Sequence, residues 1–429
     1  MTTELIALLN GKEVGRVRRD ARNRLTFTYD EGWRTSRDAY PLSLSMPLAA
    51  AEHRPTVVQP FLWGLLPDNE LILERWARKF QVSARNVFAL IVHVGEDCAG
   101  AVQLVTSDRL DAAETGKDDK VDWLKEHEIA DRLRKLRQDH AAWRLPGDAG
   151  QFSLAGAQPK TALLLQNRRW GIPSGRTPTT HILKPPTGQF DGHAENEHFC
   201  LGLANELGLP TALSRVMHFE DQTAIVIERY DRLRKGNDIV RIHQEDICQA
   251  LGLMPSKKYQ NDGGPGPLAI VDLLRSYSSD PEADVDTFVD ALGFNWLIAG
   301  PDAHAKNYSM LVGAGSHIRL APLYDIASAL PYDTLDTRKI KSAMKIGGEY
   351  RLHEIGLRDW QRLARELRVD AERTVERLQA MAARLPDCVR AVHARSVKDG
   401  LDKTIMNRLA ERLVEWIEGR KRLMTMRGA

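Results

Sequence analysis

The sequence predicts an α+β chain of two lobes with a cleft between them, and three observations carry that expectation. At 429 residues the chain is longer than a single hydrophobic core usually extends, so two or more packed units are expected. Up to Tyr230, short apolar runs alternate with turn signals, the mark of strands. From Asp231 onward the pattern turns mostly helical, apart from a Gly/Pro-rich loop (NDGGPGP) and a strand-like pair around SMLV and IRLAPLYD.

In chain order, residues 1–106 read as a β-rich first subdomain. LIALLNGKEVGRVRR places Asn-Gly between two apolar runs, a hairpin signal. The basic cluster GRVRRDARNR reads as a solvated hairpin edge, where cations blunt strand pairing; a DNA contact is the other reading. NELILERWARKF, with Leu71, Leu73, Trp76 and Phe80, predicts a helix. Residues 107–150 turn charged and read as a solvated helical connector. In residues 151–230, TALLLQNRRWGI and THILKPP predict neighbouring strands, AENEHFCLGLANELG a helix ending at Gly208, and DQTAIVIERYDR a further strand. Residues 231–429 form the helical lobe, closing on an amphipathic helix, LAERLVEWIEGRKRL, whose cations complement its C-terminal dipole.

Composition narrows the classes. Hydrophobic content of 43% and charged content of 28% are those of a globular protein. Cys98, Cys200, Cys248 and Cys388 form no CxxC or Cys/His spacing, which predicts neither a disulfide framework nor a zinc site and fits a reducing cytoplasm. The N-terminal apolar run lacks a basic leader and a small-residue cleavage site, so no signal peptide is expected. No apolar run is long enough for a membrane span. A net charge of +2 makes no strong case for nucleic acid binding by this chain alone.

The chemistry-bearing signal is PDAHAKNYSML, where Asp302 and Asn307 stand as D-x-x-x-x-N. That is the spacing of a kinase catalytic loop. The aspartate accepts the proton of the substrate hydroxyl and the asparagine oxygen binds magnesium, so one short loop must present both to one phosphoryl group. Alone the spacing is unspecific, and a capping aspartate fits it too. Asp325 follows at the end of IRLAPLYD, where a kinase places its second metal ligand; it could equally cap the next turn. Upstream, THILKPP ends its apolar run on Lys184, as the strand that sets a lysine on the ATP phosphates does, although a strand-end lysine is commonly just solvated. Order raises the weight of these signals: strand lysine, hinge-like strand AIVIERY, Asp302 with Asn307, then Asp325. His193 and His198 with Glu195 and Glu197 would make a metal set, but the polarity of a helix start accounts for them.

SLAGAQPKTALL, THILKPP, IERYDR, HQEDICQALG, DGGPG, PDAHAKNYS and LAPLYDIAS together closely resemble the HipA family of bacterial toxin kinases, and FLWGLLPDNELILERWARKF resembles that family's N-terminal region. The resemblance spans essentially the whole chain. It implies a two-lobed protein-kinase-like fold, ATP and Mg2+ as cofactors, and a serine/threonine kinase toxin that blocks translation. It also implies a HipB-like antitoxin partner, contact with operator DNA mainly through that antitoxin, and an aminoacyl-tRNA synthetase such as glutamyl-tRNA synthetase as substrate. By resemblance Asp302 is the catalytic base, Asn307 and Asp325 are metal ligands, and Lys184 is the ATP lysine. Glu228, Arg229 and Tyr230 form the adenine-contacting hinge; Ala155, Gly156, Ala157, Gln158 and Lys160 belong to the loop over the phosphates. His304, Lys306 and Tyr324 flank the nucleotide, Gln244 is a further contact, and Ser153 is the autophosphorylated serine whose modification silences the enzyme. No G-x-G-x-x-G precedes the lysine strand; SLAGAQPK, with Gly156 alone, takes its place, a departure the family shares. Two other readings share these parts: a non-catalytic kinase-shaped partner of an antitoxin, and a small-molecule hydroxyl kinase.

Overall fold

A computed structural model describes residues 3–139, 142–143, 152–156, 158–186, 192–236 and 238–425. The fold is α+β. The chain divides into two compact units, one of Met1–Pro185, His218–Ser256 and Ser309–Arg319, the other of Pro186–Met217, Lys257–Tyr308 and Leu320–Ala429. This division differs from the expected boundaries: the first subdomain and the strands after residue 151 share one unit, and the chain changes unit several times.

In the first unit, β1 (Glu4–Leu9) and β2 (Lys12–Arg19) are joined through Asn10 and Gly11, with φ of 51° and 77°. Both central residues are left-handed, as a two-residue hairpin requires. With β3 (Leu25–Tyr29), β4 (Glu52–His53) and β5 (Val102–Val105) they form a sheet ordered β4-β3-β2-β1-β5. β1 is buried on both faces. Leu5, Ala7 and Leu9 join a core with Phe27, Phe61, Phe88 and Trp143, while Ile6 and Leu8 pack with Val105 and Ala113. Each such fully buried aliphatic or aromatic side chain contributes about 1.5–3 kcal/mol. The basic strand β2 is therefore not an edge. Its arginines are tied across the sheet, Arg16 and Arg18 both to Glu4. Around this sheet lie α1 (Glu31–Arg34), α2 (Pro55–Gly64), α3 (Glu70–Phe80) and α4 (Val87–Val94), the last two begun by the capping side chains Asn69 and Asn86.

The charged stretch after residue 106 is not wholly helical. It holds α5 (Leu110–Thr115), a strand β6 (Lys120–Leu124) and α6 (Glu126–Gln138). β6 pairs antiparallel with Arg169–Ser174, and Trp123 stacks under Arg169, 4.6 Å from ring centre to guanidinium. Charge density hid this strand, because an edge strand tolerates a polar face. Next come β7 (Thr161–Gln166), β8 (Arg169–Ser174), β9 (His181–Lys184), α7 (His193–Glu206), β10 (Ser214–Phe219) and β11 (Gln222–Glu228). The strands form a second sheet, ordered β10-β11-β9-β7-β8-β6. The hairpin of β12 (Arg232–Lys235) and β13 (Asp238–Arg241) follows, then β14 (His243–Asp246) and the short helix α8 (Ile247–Ala250).

The second unit is built on helices: α9 (Pro267–Tyr277), α10 (Pro281–Leu297), α11 (Leu357–Glu366), α12 (Ala371–Lys398) and α13 (Lys403–Thr425). α10 is its central element, with Phe288, Phe294 and Trp296 essentially fully buried. A Cβ on Gly293 would lie 2.2 Å from Leu378, so glycine is what lets α10 and α12 approach. Trp296 packs on Trp360, ring centres 5.6 Å apart. Beyond the loop that ends α10 the chain returns to the first unit, where β15 (Ser309–Val312) pairs with β14, and β16 (Ile318–Leu320) then leads toward Asp325. Among the described residues no helix is long and apolar enough to cross a membrane.

Candidate active site

α10 ends by tightening. Ala299 is left-handed (φ 52°), Gly300 N–H donates to Asn295 O at 2.7 Å, and the chain turns out into Asp302. The Asp302 side chain is 58% exposed, and its Oδ1 accepts a hydrogen bond from the Tyr259 hydroxyl at 2.5 Å. Asn307 Nδ2 donates to the Asp302 carbonyl at 2.6 Å. That bond fixes the amide and keeps its oxygen for a cation. His304 is buried beside Tyr259, and burial pushes its pKa below the ordinary value although Asp302 pulls it up. At 3.9 Å its Nε2 is too far from Asp302 for a hydrogen bond.

Asp325 lines a cleft together with Asn307. Its backbone is left-handed, φ 55°, a conformation aspartate tolerates better than most residues. Tyr324, its neighbour, donates its hydroxyl to the Lys306 carbonyl at 2.7 Å, tying the two segments together. Asn307 and Asp325 line one small cleft, about 10 Å³, with Asn295, Ala303 and Tyr308. Among the described residues no group of three or more His, Cys, Asp or Glu could hold a metal ion. An amide oxygen and one carboxylate are nonetheless the hard donors magnesium uses when phosphate oxygens and water complete its shell. The residues fit that ion.

Two supports escaped the sequence. Tyr259 stands 43 residues before Asp302, in a loop whose glycines make it possible: Gly263 has φ +83°, and a Cβ on Gly264 would sit 2.0 Å from Lys257 O. Asn196 on α7, inside the segment weighed as a metal set, clamps the backbone after Asp325. Its Oδ1 accepts from Ser328 N at 3.0 Å and its Nδ2 donates to Ser328 O at 2.7 Å. No spacing rule links either residue to the aspartates.

The remaining predicted residues lie in the first unit. Lys184 ends β9, buried, opposite Ile225 of β11. In the SLAGAQPK loop Ser153 is fully buried. Its N–H donates to Asp97 O at 2.9 Å and its hydroxyl to Leu65 O at 2.7 Å. Lys160 Nζ donates to Ala155 O at 2.7 Å and lies 5.1 Å from the Trp143 ring centre, so it braces this loop. Gly156, with φ +97°, turns beneath it; a Cβ there would be 2.7 Å from the lysine nitrogen. Gln158 is part-buried, and Ala157 lies outside the described residues.

Of the hinge residues, Glu228 is exposed and pairs in register with His181. Arg229 turns its side chain inward. It grips Asp231 with two bonds, Nε to Oδ1 at 3.0 Å and Nη2 to Oδ2 at 2.9 Å, and donates to Thr179 and Cys98 O. The side chain at 229 is thus committed to this network, while its N–H donates to Thr180 O at 3.0 Å and its carbonyl accepts from Arg232 N at 3.2 Å. Asp97 takes Arg232 at 2.9 Å and Arg241 at 3.3 Å. Burial alone would raise both carboxyls, yet the surrounding arginines hold Asp97 and Asp231 well below the usual range. Gln244 donates to Asp231 at 3.1 Å and accepts from the Tyr230 hydroxyl.

Comparison with known proteins places the chain in a family. The family model described as HipA N-terminal domain matches residues 5–105, and that described as HipA-like C-terminal domain matches 152–389. A Sinorhizobium fredii protein named "Putative kinase Y4mE" is 36% identical, over 97% of each chain. The Shewanella oneidensis "Serine/threonine-protein kinase toxin HipA" is 28% identical, over 85% of this chain and 83% of its own. The solved structure of the Shewanella oneidensis HipA, HipB and operator DNA complex matches with a TM-score of 0.83 and 25% identity, over 98% of both chains. The chain belongs to the HipA family of kinases.

Proposed function

We propose that this chain transfers the γ-phosphoryl group of ATP to a serine or threonine hydroxyl of a protein, with Asp302 as base. The observation that supports this best is the meeting of Asp302, Asn307 and Asp325 within one unit, through the 2.6 Å bond from Asn307 to the Asp302 carbonyl and the cleft that Asn307 shares with Asp325. The exposed Asp302 carboxylate takes the proton of the acceptor hydroxyl while that oxygen bonds to the γ-phosphorus and ADP leaves. Asn307 Oδ1 and Asp325 would hold Mg2+, which neutralises charge on the phosphates. Lys184 supplies a further positive charge on a flexible stem. Glu228 and Tyr230 would meet the adenine, with Gln244 behind them, and Gly156 and Gln158 belong to the loop over the phosphates.

The Shewanella HipA structure, solved with HipB and operator DNA, supports a HipB-like antitoxin and, through it, operator DNA as partners. Family membership supports toxicity through phosphorylation of a translation component such as glutamyl-tRNA synthetase. Ser153 is the proposed self-inhibitory site. In the closed loop its hydroxyl is bonded to Leu65 and reaches no other molecule, so the loop must open before the serine is phosphorylated. A phosphate of about −1.5 to −2 charge could not return to that buried position. Phosphoproteomics of cells expressing the chain, against cells expressing Asp302→Asn, tests the reading. Loss of growth arrest and of every chain-dependent phosphosite is expected; equal phosphorylation by both would overturn it.

A further inference from the structure

Helix α13 carries a buried cation without a counter-ion. Arg420 is only 9% exposed, and among the described residues no carboxylate lies within ion-pair distance of it. Its Nη1 donates to Leu352 O at 2.8 Å, its Nε has no partner, and its guanidinium lies 4.2 Å from the centre of the Trp416 ring. Burial alone acts on its pKa, drawing it down to about 10, so it stays charged at neutral pH. The buried arginines of the first unit's ion network, Arg229, Arg232 and Arg241, each have an aspartate against them. An unpaired buried charge is costly, and this one lines a cavity of about 380 Å³, in the size range of ligand pockets.

The cavity wall says what would fill it. One side is the segment after Asp325, with Leu330, Tyr332 and Leu335; the other is α13, with Trp416 and Arg412. Arg412 is already paired with Asp333, and Glu415 stands at the rim. A dianion would meet those two carboxylates, whereas a single carboxylate on an apolar stem matches leucine, indole and one guanidinium. In a kinase the protein acceptor runs along the segment that follows the metal aspartate.

We propose that this cavity is a carboxylate subsite in which Arg420, backed by Trp416, receives an acidic side chain of the phosphate-accepting protein. The choice of occupant rests on the kinase reading above; the subsite itself does not. The test is fluorescence anisotropy of the full chain with a positional library of eight-residue labelled peptides around one serine, each with Glu or Gln at one position. At one position the Glu peptide should bind roughly tenfold to a hundredfold tighter than its Gln twin. Arg420→Gln should erase the difference. So should Leu335→Asp, which alters only an exposed rim residue (36% exposed) and guards against a folding defect at Arg420; Arg420→Lys should keep part of it. ATP hydrolysis without peptide should stay unchanged in Leu335→Asp. Equal binding of Glu and Gln peptides, no binding at all, or displacement of the Glu peptide by inorganic phosphate at lower concentration than by acetate would overturn the proposal. Glu-dependent binding without any phosphorylation keeps the subsite and sinks the kinase reading; phosphorylation without Glu dependence does the reverse.

Discussion

Asp302 and Asp231 are the same side chain in opposite surroundings. The first is 58% exposed and takes one hydrogen bond, from Tyr259. The second is buried and filled: Arg229 holds both its oxygens, Gly100 N–H and Gln244 donate to one of them, and Arg232 stands 3.0 Å away. A carboxylate whose lone pairs are all occupied cannot take a proton from a substrate, while one left half in water can. On the proposed function the difference separates charge used for architecture from charge kept for chemistry, and it can be tested.

The largest effect is expected at the proposed base. Asp302→Asn should lower the phosphoryl-transfer rate about 10²- to 10⁴-fold and leave unfolding free energy within about 0.5 kcal/mol; a radiolabelled transfer assay and urea titration measure the two. Asp231→Ala should do the reverse in kind. It leaves Arg229 and Arg232 buried without their main partner and should cost about 3–5 kcal/mol of stability, read from the urea midpoint. If Asp231→Ala proved as stable as the parent, the contrast would collapse.

A third buried carboxyl sharpens the point. Glu245 accepts from Ser43 Oγ at 2.6 Å and Leu44 N at 2.7 Å, with no arginine against it, and burial pushes its pKa up to about 8 from an ordinary 4.5. Between those values the folded chain keeps a proton that the unfolded chain has lost. Stability from this group is therefore full below about pH 4.5 and is lost as pH rises through 8. Glu245→Gln should flatten the fall in melting temperature between pH 5 and 8.5; an unchanged slope would show the carboxyl is already ionised. The smallest effect is expected at Tyr259→Phe. Losing one hydrogen bond to a half-exposed carboxylate should cost about 1 kcal/mol, a several-fold drop in kcat, with KM for ATP unmoved.

These regions were not equally legible in the sequence. Asp302, Asn307 and Asp325 sit in short segments whose order and spacing suggested a grouping, and the bond from Asn307 to Asp302 O and the cleft that Asn307 shares with Asp325 bring them near one another. The strands and helices bearing them followed from periodicity. The ion network could not be read, because Asp97, Thr179 and Arg241 are brought to Arg229 and Asp231 only by sheet packing. Arg229 therefore read as a nucleotide contact when its side chain faces inward. β6 was missed for a related reason: its charges signalled solvent but said nothing of backbone pairing.

The left-handed backbone at Asp325 bears on descent as much as on catalysis. At φ 55° glycine and asparagine fit as readily as aspartate, while most residues would add a penalty of roughly 1–2 kcal/mol. One nucleotide change can turn an aspartate codon into asparagine or glycine. A lineage could thereby shed this carboxylate in one step and keep the backbone of the turn. On the proposed function such a step would silence the chain without reshaping it, which makes the residue at 325 the first to inspect when sorting active relatives from mimics.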